Sequence, residues 1–180
     1  MERITLGSGK VYIAEYAGAV PSYTELKKDE NLLGHVKGGA TLEYTKETYT
    51  AEDDLGLVSK TVITSEEVLL KLGVCTWDGD TLKKLVETAR VTDDSSTGWR
   101  TVKIGGVDNA DGKNYAILFY HTDKEDGDQY VMVVGRNNSG LSLAFAKDSE
   151  TTIDAEFKAK AMDDEGTLVI YGEQDDSLKG

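Results

Sequence analysis

Residues 38–74, GGATLEYTKETYTAEDDLGLVSKTVITSEEVLLKLGV, constrain this chain more than any other stretch. Two long runs rich in β-branched and aromatic residues flank an acidic middle, Ala51-Glu52-Asp53-Asp54-Leu55-Gly56, as two strands flank a hairpin tip. Side chains alternate across a strand, so the pattern assigns faces. Leu42 and Tyr44 share one face of the first run, and Thr41, Glu43, Thr45 and Glu47 the other. In the second run Val58, Val62, Val68, Leu70 and Leu72 fall together, opposite Ser59, Thr61, Ser65, Glu67 and Lys71, with Ile63 and Leu69 as exceptions. The pattern predicts a long hairpin whose apolar side, including Leu42, Tyr44, Val62, Val68 and Leu70, packs on a core. The other side is wet. The alternation slips over residues 60–66, which predicts a bulge or bend.

With 180 residues the chain suits one domain, expected to span 1–180 with a frayed tail from about 173. Acids outnumber bases 33 to 20 and the net charge is −13, which repels phosphates at long range and argues against a DNA reader. The single cysteine, Cys75, excludes an intramolecular disulfide and is expected to be reduced and buried, in keeping with synthesis in a cytoplasm. No apolar leader and no run of membrane-spanning length is evident, so no membrane anchor is expected.

In chain order, residues 10–16 read as a strand and 17–32 as a loop. Gly38-Gly39 marks a bend or a close approach of backbone. One helix is expected over 80–90, capped by Asp80 in preference to Asp78, with Leu82, Leu85, Val86 and Ala89 as its apolar stripe. Residues 92–98 read as a loop and 99–104 as a strand. Residues 115–122 are apolar on both faces, hence covered on both, and Asp126-Gly127 turns them into a strand over 130–134. Further strands are expected over 141–146, over 152–161 with Ile153, Ala155, Phe157 and Ala159 inward, and over 168–171. The fold class is mainly β: a sandwich or barrel with a long hairpin and one flanking helix.

Sites of chemistry do not accumulate along this chain. Gly7-Ser-Gly-Lys10 lacks the preceding strand, the spacing and the hydroxyl of a phosphate loop. The acidic loops at 108–112 and 123–128 place glycine one position early and no acid at the twelfth position of a calcium loop, so both read as turns. Glu52, Asp53 and Asp54 sit at a hairpin tip, where carboxylates are solvated or face a partner. His35 and His121 make no zinc spacing with Cys75, and Trp77 and Trp99 read as core or interface anchors. No cofactor, metal or catalytic residue is expected, and no enzyme.

The phrases GGATLEYTKETYTAEDDLG, SKTVITSEEVLLKLGVCTWDG, TVKIGG, GKNYAILFYH, LAFAKDSETTIDAEFKA and DDEGTLVIY resemble the tail tube (major tail) proteins of tailed bacteriophages over nearly the whole chain. Related tubes occur in phage-like bacteriocins and type VI secretion systems. The resemblance implies hexameric rings that stack into a hollow tube through which DNA passes without specific binding. The expected location is then the virion tail, and the expected partners are other copies of the chain, with sheath, tape measure and tail terminator or baseplate proteins. On this reading Thr41, Glu43, Thr45, Glu47, Ser59, Thr61, Ser65 and Glu67 face the lumen. Tyr49, Thr50, Ala51, Glu52, Asp53, Asp54, Leu55, Gly56 and Leu57 form a loop between subunits or rings, and Lys71, Lys158 and Lys160 lie near subunit boundaries or outside. The competing reading is a β-sandwich binding module, carbohydrate-binding or surface-display, with Trp77, Trp99 and tyrosines as its platform.

Overall fold

The protein is described from a computed structural model covering residues 7–145, 147–148 and 150–178. Among the described residues nine strands carry the fold: β1 Lys10–Glu15, β2 Leu32–Glu52, β3 Ser59–Val74, β4 Arg90–Asp94, β5 Trp99–Lys103, β6 Tyr115–His121, β7 Gln129–Asn137, β8 Ile153–Ala159 and β9 Val169–Glu173. Two short helices interrupt them, α1 Tyr23–Leu26 and α2 Gly79–Leu85.

The main sheet runs β6-β1-β2-β3-β8-β7-β9, and β6 also pairs with β7. That last pairing closes β6, β1, β2, β3, β8 and β7 into a barrel, leaving β9 on the outer margin of β7. Closure removes sheet edges, the usual sites of unwanted pairing. It also requires close backbone approach at the seam. A Cβ on Gly135 would sit 2.0 Å from the Lys158 carbonyl oxygen, so only glycine fits where β7 crosses to β8.

Two apolar layers follow from alternation along β1, β6 and β7. Val11, Ile13, Tyr115, Ile117 and Val133 point into the barrel, where they meet Val68, Leu70, Leu72, Val74, Ile153, Ala155 and Phe157. Tyr12, Ala116, Leu118, Tyr120, Met132 and Val134 point the other way and are covered by Leu26 of α1 and by Met162. This explains why residues 115–122 are apolar on both faces. The expected inward set of β8 is also found, Ile153, Ala155 and Phe157 being buried and Ala159 partly so.

Several local expectations change. The stretch 17–32 is not all loop: Ser22 and Glu25 form a reciprocal capping box that starts α1, and a 3-10 turn follows at Asp29–Asn31. The cap of α2 is Asp78 rather than Asp80, its carboxylate accepting from the amides of Asp80 and Thr81. The helix ends at Leu85 and not Arg90, because Arg90 already opens β4. Leu82 and Leu85 still enter the barrel core. Residues 92–94 belong to β4, which pairs with β5 as a separate hairpin. Residues 141–145 are not a strand, although Leu141 and Leu143 pack against the core; Ala146 lies outside the described residues. The tail is held further than expected, by Gln174 donating its amide to the Asp128 carbonyl and by a 3-10 turn at Asp176–Leu178. Cys75 is partly exposed, with its thiol donating to the His35 carbonyl oxygen at 3.2 Å.

Two substitutions test this account. Phe157→Ala, at 0% exposure, is expected to cost about 3–5 kcal/mol in a denaturant titration. Asp78→Ala removes the α2 cap and is expected to cost about 1 kcal/mol, lowering the melting temperature by about 2–4 °C.

Candidate assembly surface

Only the root of the β2–β3 hairpin belongs to the barrel. β2 is flanked by β1 over residues 32–35, and β3 by β8 over residues 69–74. Beyond those points the two strands pair only with each other, out to Glu52 opposite Ser59. Ten residues of β3 at about 3.3 Å each make this free ribbon about 33 Å long. Two-stranded ribbons are marginal alone in water. Among the described residues, both outer edges of the ribbon lack a strand partner.

The apolar side of the hairpin is therefore a core face only near its root. Val68, Leu70 and Leu72 are buried as expected. Leu42, Tyr44, Val58 and Val62, expected on the same covered face, are 39%, 51%, 69% and 42% exposed. Alternation assigns residues to a face but supplies nothing to cover it, and here the sheet neighbours stop short.

The expected bulge is present, and it changes the faces. Glu47 pairs with Ser65 but Thr48 pairs with Ile63, leaving Thr64 as the extra residue. Cross-strand partners share a face, so Thr41, Glu43, Thr45 and Glu47 lie with Lys71, Leu69, Glu67 and Ser65. Past the bulge that face continues as Tyr49 with Val62 and Ala51 with Lys60. Ser59 and Thr61, expected beside Glu43 and Glu47, instead lie on the opposite face with Glu52 and Thr50. The hydroxyls of Thr50 and Thr61 meet there at 2.8 Å.

The polar face near the root carries an ion-pair ladder. Lys71 Nζ donates to Glu43 at 2.7 Å and lies 3.6 Å from Glu156, while Lys158 is bound to Glu67. Glu47 accepts from Ser65 at 3.0 Å. Hydrogen bonding to Glu43 raises the pKa of Lys71. On the other face Tyr44 donates its hydroxyl to Glu66 at 2.6 Å, which raises the phenol's pKa. Lys71 lies on the carboxylate face, as alternation placed it, and Lys158 of β8 joins that face opposite Leu69, each lysine paired with an acid.

The tip is shorter and better defined than the loop expected over residues 49–57. Tyr49, Thr50, Ala51 and Glu52 belong to β2. The turn proper is closed by Asp53, whose amide donates to the Val58 carbonyl at 3.0 Å and whose carboxylate accepts from the Val58 amide at 2.8 Å. Gly56 takes a positive φ of 66°. Leu55 and Leu57 project at 78% exposure each, beside Glu52 and Asp54.

Elsewhere the candidate residues serve structure. Trp77 packs on the barrel core and donates Nε1–H to the Thr151 carbonyl at 3.4 Å, whereas Trp99 is 73% exposed on β5. His121 is buried and its Nδ1 donates to the Ser8 carbonyl at 2.9 Å. The loop at 123–128 is a hydrogen-bonded turn, with Asp123 accepting from the amides of Glu125 and Asp126. No described helix is long and apolar enough to cross a membrane.

Backbone hydrogen bonds, led by that from Val58, hold the Asp53 carboxyl below the usual carboxylate range. A depressed folded-state pKa stabilises the turn above the unfolded value and ceases to do so as pH falls through the folded one. The Val58 amide resonance is thus expected to be unchanged from pH 7 to about 5 and to titrate below the ordinary aspartate pKa of about 3.9. Asp53→Ala should abolish that titration in the same NMR measurement.

No protein-family model and no curated protein sequence matches the chain, so its function has to be argued from the ribbon and the barrel.

Proposed function

We propose that this chain is the structural subunit of a phage or phage-like tail tube, in which copies join head to tail into hexameric rings and the rings stack around a hollow channel. The observation that carries this reading is the free ribbon. A barrel that closes all but one margin of its own sheet nevertheless extends a long hairpin with two unpaired edges and exposed Leu42, Tyr44, Tyr49, Val62 and Ile63. Such a surface calls for pairing with another chain, and head-to-tail pairing generates rings or filaments.

In this reading the face bearing Thr41, Glu43, Thr45, Glu47, Ser65 and Glu67 lines the channel, and Ser59 and Thr61 do not. Near the root the wall is hydrated and acidic, and the acids beside Lys71 and Lys158 occupy two cations that would otherwise grip passing phosphates; past the bulge the same face carries Tyr49, Val62 and Lys60. The channel conducts DNA during ejection without binding it. The subunit's place is the virion tail, where sheath, tape measure and terminator or baseplate proteins would adjoin it.

Purified protein imaged by negative stain across a concentration series is expected to form rings of six and hollow rods. Deleting residues 51–56 is expected to leave a folded monomer, by circular dichroism and sedimentation, that forms neither. A wild-type chain that stays monomeric at high concentration, or a deletion variant that still forms normal rods, overturns the reading.

A further inference from the structure

The molecule displays two patches that complement each other in both charge and apolar content. One is the ribbon tip, where Glu52 and Asp54 stand beside Leu55, Leu57 and Val58, the last three at 78%, 78% and 69% exposure. The other is the outward face of the β4–β5 hairpin. Its register places Arg90 with Lys103, Thr92 with Thr101 and Asp94 with Trp99 on one side. The alternate pairs, Val91 with Val102 and Asp93 with Arg100, occupy the other side, against α2: a Cβ on Gly79 would lie 2.8 Å from Arg100 Cδ and 3.1 Å from Val102 Cγ2.

The charges sort the same way. Arg100 is held on the inner side by Asp93 at 2.7 Å and Asp80 at 2.8 Å, which fixes this small hairpin to α2. Asp94 is drawn into the hairpin turn by the hydroxyls of Ser96 and Thr97, at 2.6 and 2.8 Å, and these bonds hold its pKa down to about 2. The outward face is left with Arg90 and Lys103 as its cations and Trp99 as its apolar body, in a chain whose net charge is −13. Trp99 stands opposite Asp94 at the turn end of this face, and the cations stand at its other end, four residues along the strands, where Arg90 also donates to the Gly105 carbonyl at 3.2 Å. A face with an aromatic anchor at one end and two cations about 13 Å away suits an acidic partner with apolar side chains, since aromatic and arginine anchors dominate interface energetics.

We infer that the ribbon tip of one copy docks on the outward β4–β5 face of another. Leu55 and Leu57 pack against Trp99, and Glu52 and Asp54 pair with Arg90 and Lys103. The occupant is a second copy because the complementary patch is carried by the same chain. The two patches differ, so the contact is heterologous and repeats. This deepens the assembly reading above and rests on it, by naming the surface that receives the tip.

The test is charge reversal and its repair. Sedimentation and negative stain are run on the wild type, on Arg90→Glu/Lys103→Glu, on Glu52→Lys/Asp54→Lys, and on the four changes combined. Each double variant is expected to raise the concentration needed for assembly about tenfold or more, and the combined variant to restore it. Trp99→Ala, a change at an exposed position that leaves the fold intact, should weaken assembly in the same way, and indole emission should move to shorter wavelength when the wild type assembles. If the wild type forms rings or rods and the reversals leave them unaffected, the docking inference falls while the tube reading stands. If the reversals and their repair act as expected but on an assembly that is neither ring nor rod, the docking stands and the tube reading falls. A wild type that remains monomeric defeats both.

Discussion

The antiparallel ladder between β2 and β3 is the interaction on which the rest depends, because one continuous set of hydrogen bonds serves two different environments. At its root the ladder is a section of barrel wall, where Leu70, Leu72 and Val74 lie in the buried core beside their β8 partners Phe157, Ala155 and Ile153. Beyond the root, among the described residues, no further strand pairs with either edge of the same ladder. Hydrogen-bond energy cannot hold such a ribbon by itself, since water competes for each bond. What holds it is the root, whose burial fixes register and thereby fixes every pair farther out. A destabilised barrel would therefore lose the arm first.

Much of the fold was legible in the sequence because its strands obey a simple period. The two covered faces of β6, the inward set of β8, an irregularity within residues 60–66, the hairpin at Asp126-Gly127 and a helix beginning near residue 80 could all be read from spacing. The failures have particular causes. Asp78 and Asp80 are both competent caps, and the choice was made by Thr81, which returns its hydroxyl to the Asp78 backbone in a capping box that uses threonine where glutamate or glutamine is usual. Residues 90–94 resist reading as a strand because two adjacent aspartates disfavour it, yet the ladder with β5 and the Arg100 pairing overcome that preference. Residues 141–145 alternate and pack without joining any sheet, since apolar contact does not require a hydrogen-bonding partner.

The candidate surface was legible in a different proportion. Which residues lie near one another on the ribbon was mostly correct; which are covered was not, because coverage depends on where β1 and β8 end. Likewise the slip in alternation was visible, but its effect on Ser59 and Thr61 required the cross-strand register. The pairing of Lys158 could not be foreseen, as it reaches Glu67, 91 residues away in the chain, only through the pairing of β3 with β8. The exposed pairs contribute little to stability individually. Their effect is on the electrostatic character of the face.

The double glycine at the ribbon's base has a mechanical consequence. Gly38 and Gly39 both take positive φ, 80° and 78°, and form an irregularity on β2 alone, while β3 continues opposite them through Gly73. Opposite them β3 is still clamped to β8, so a load applied at the tip meets one strand that is held and one that has slack. The arm then yields more readily toward one side than the other, with β3 as its pivot.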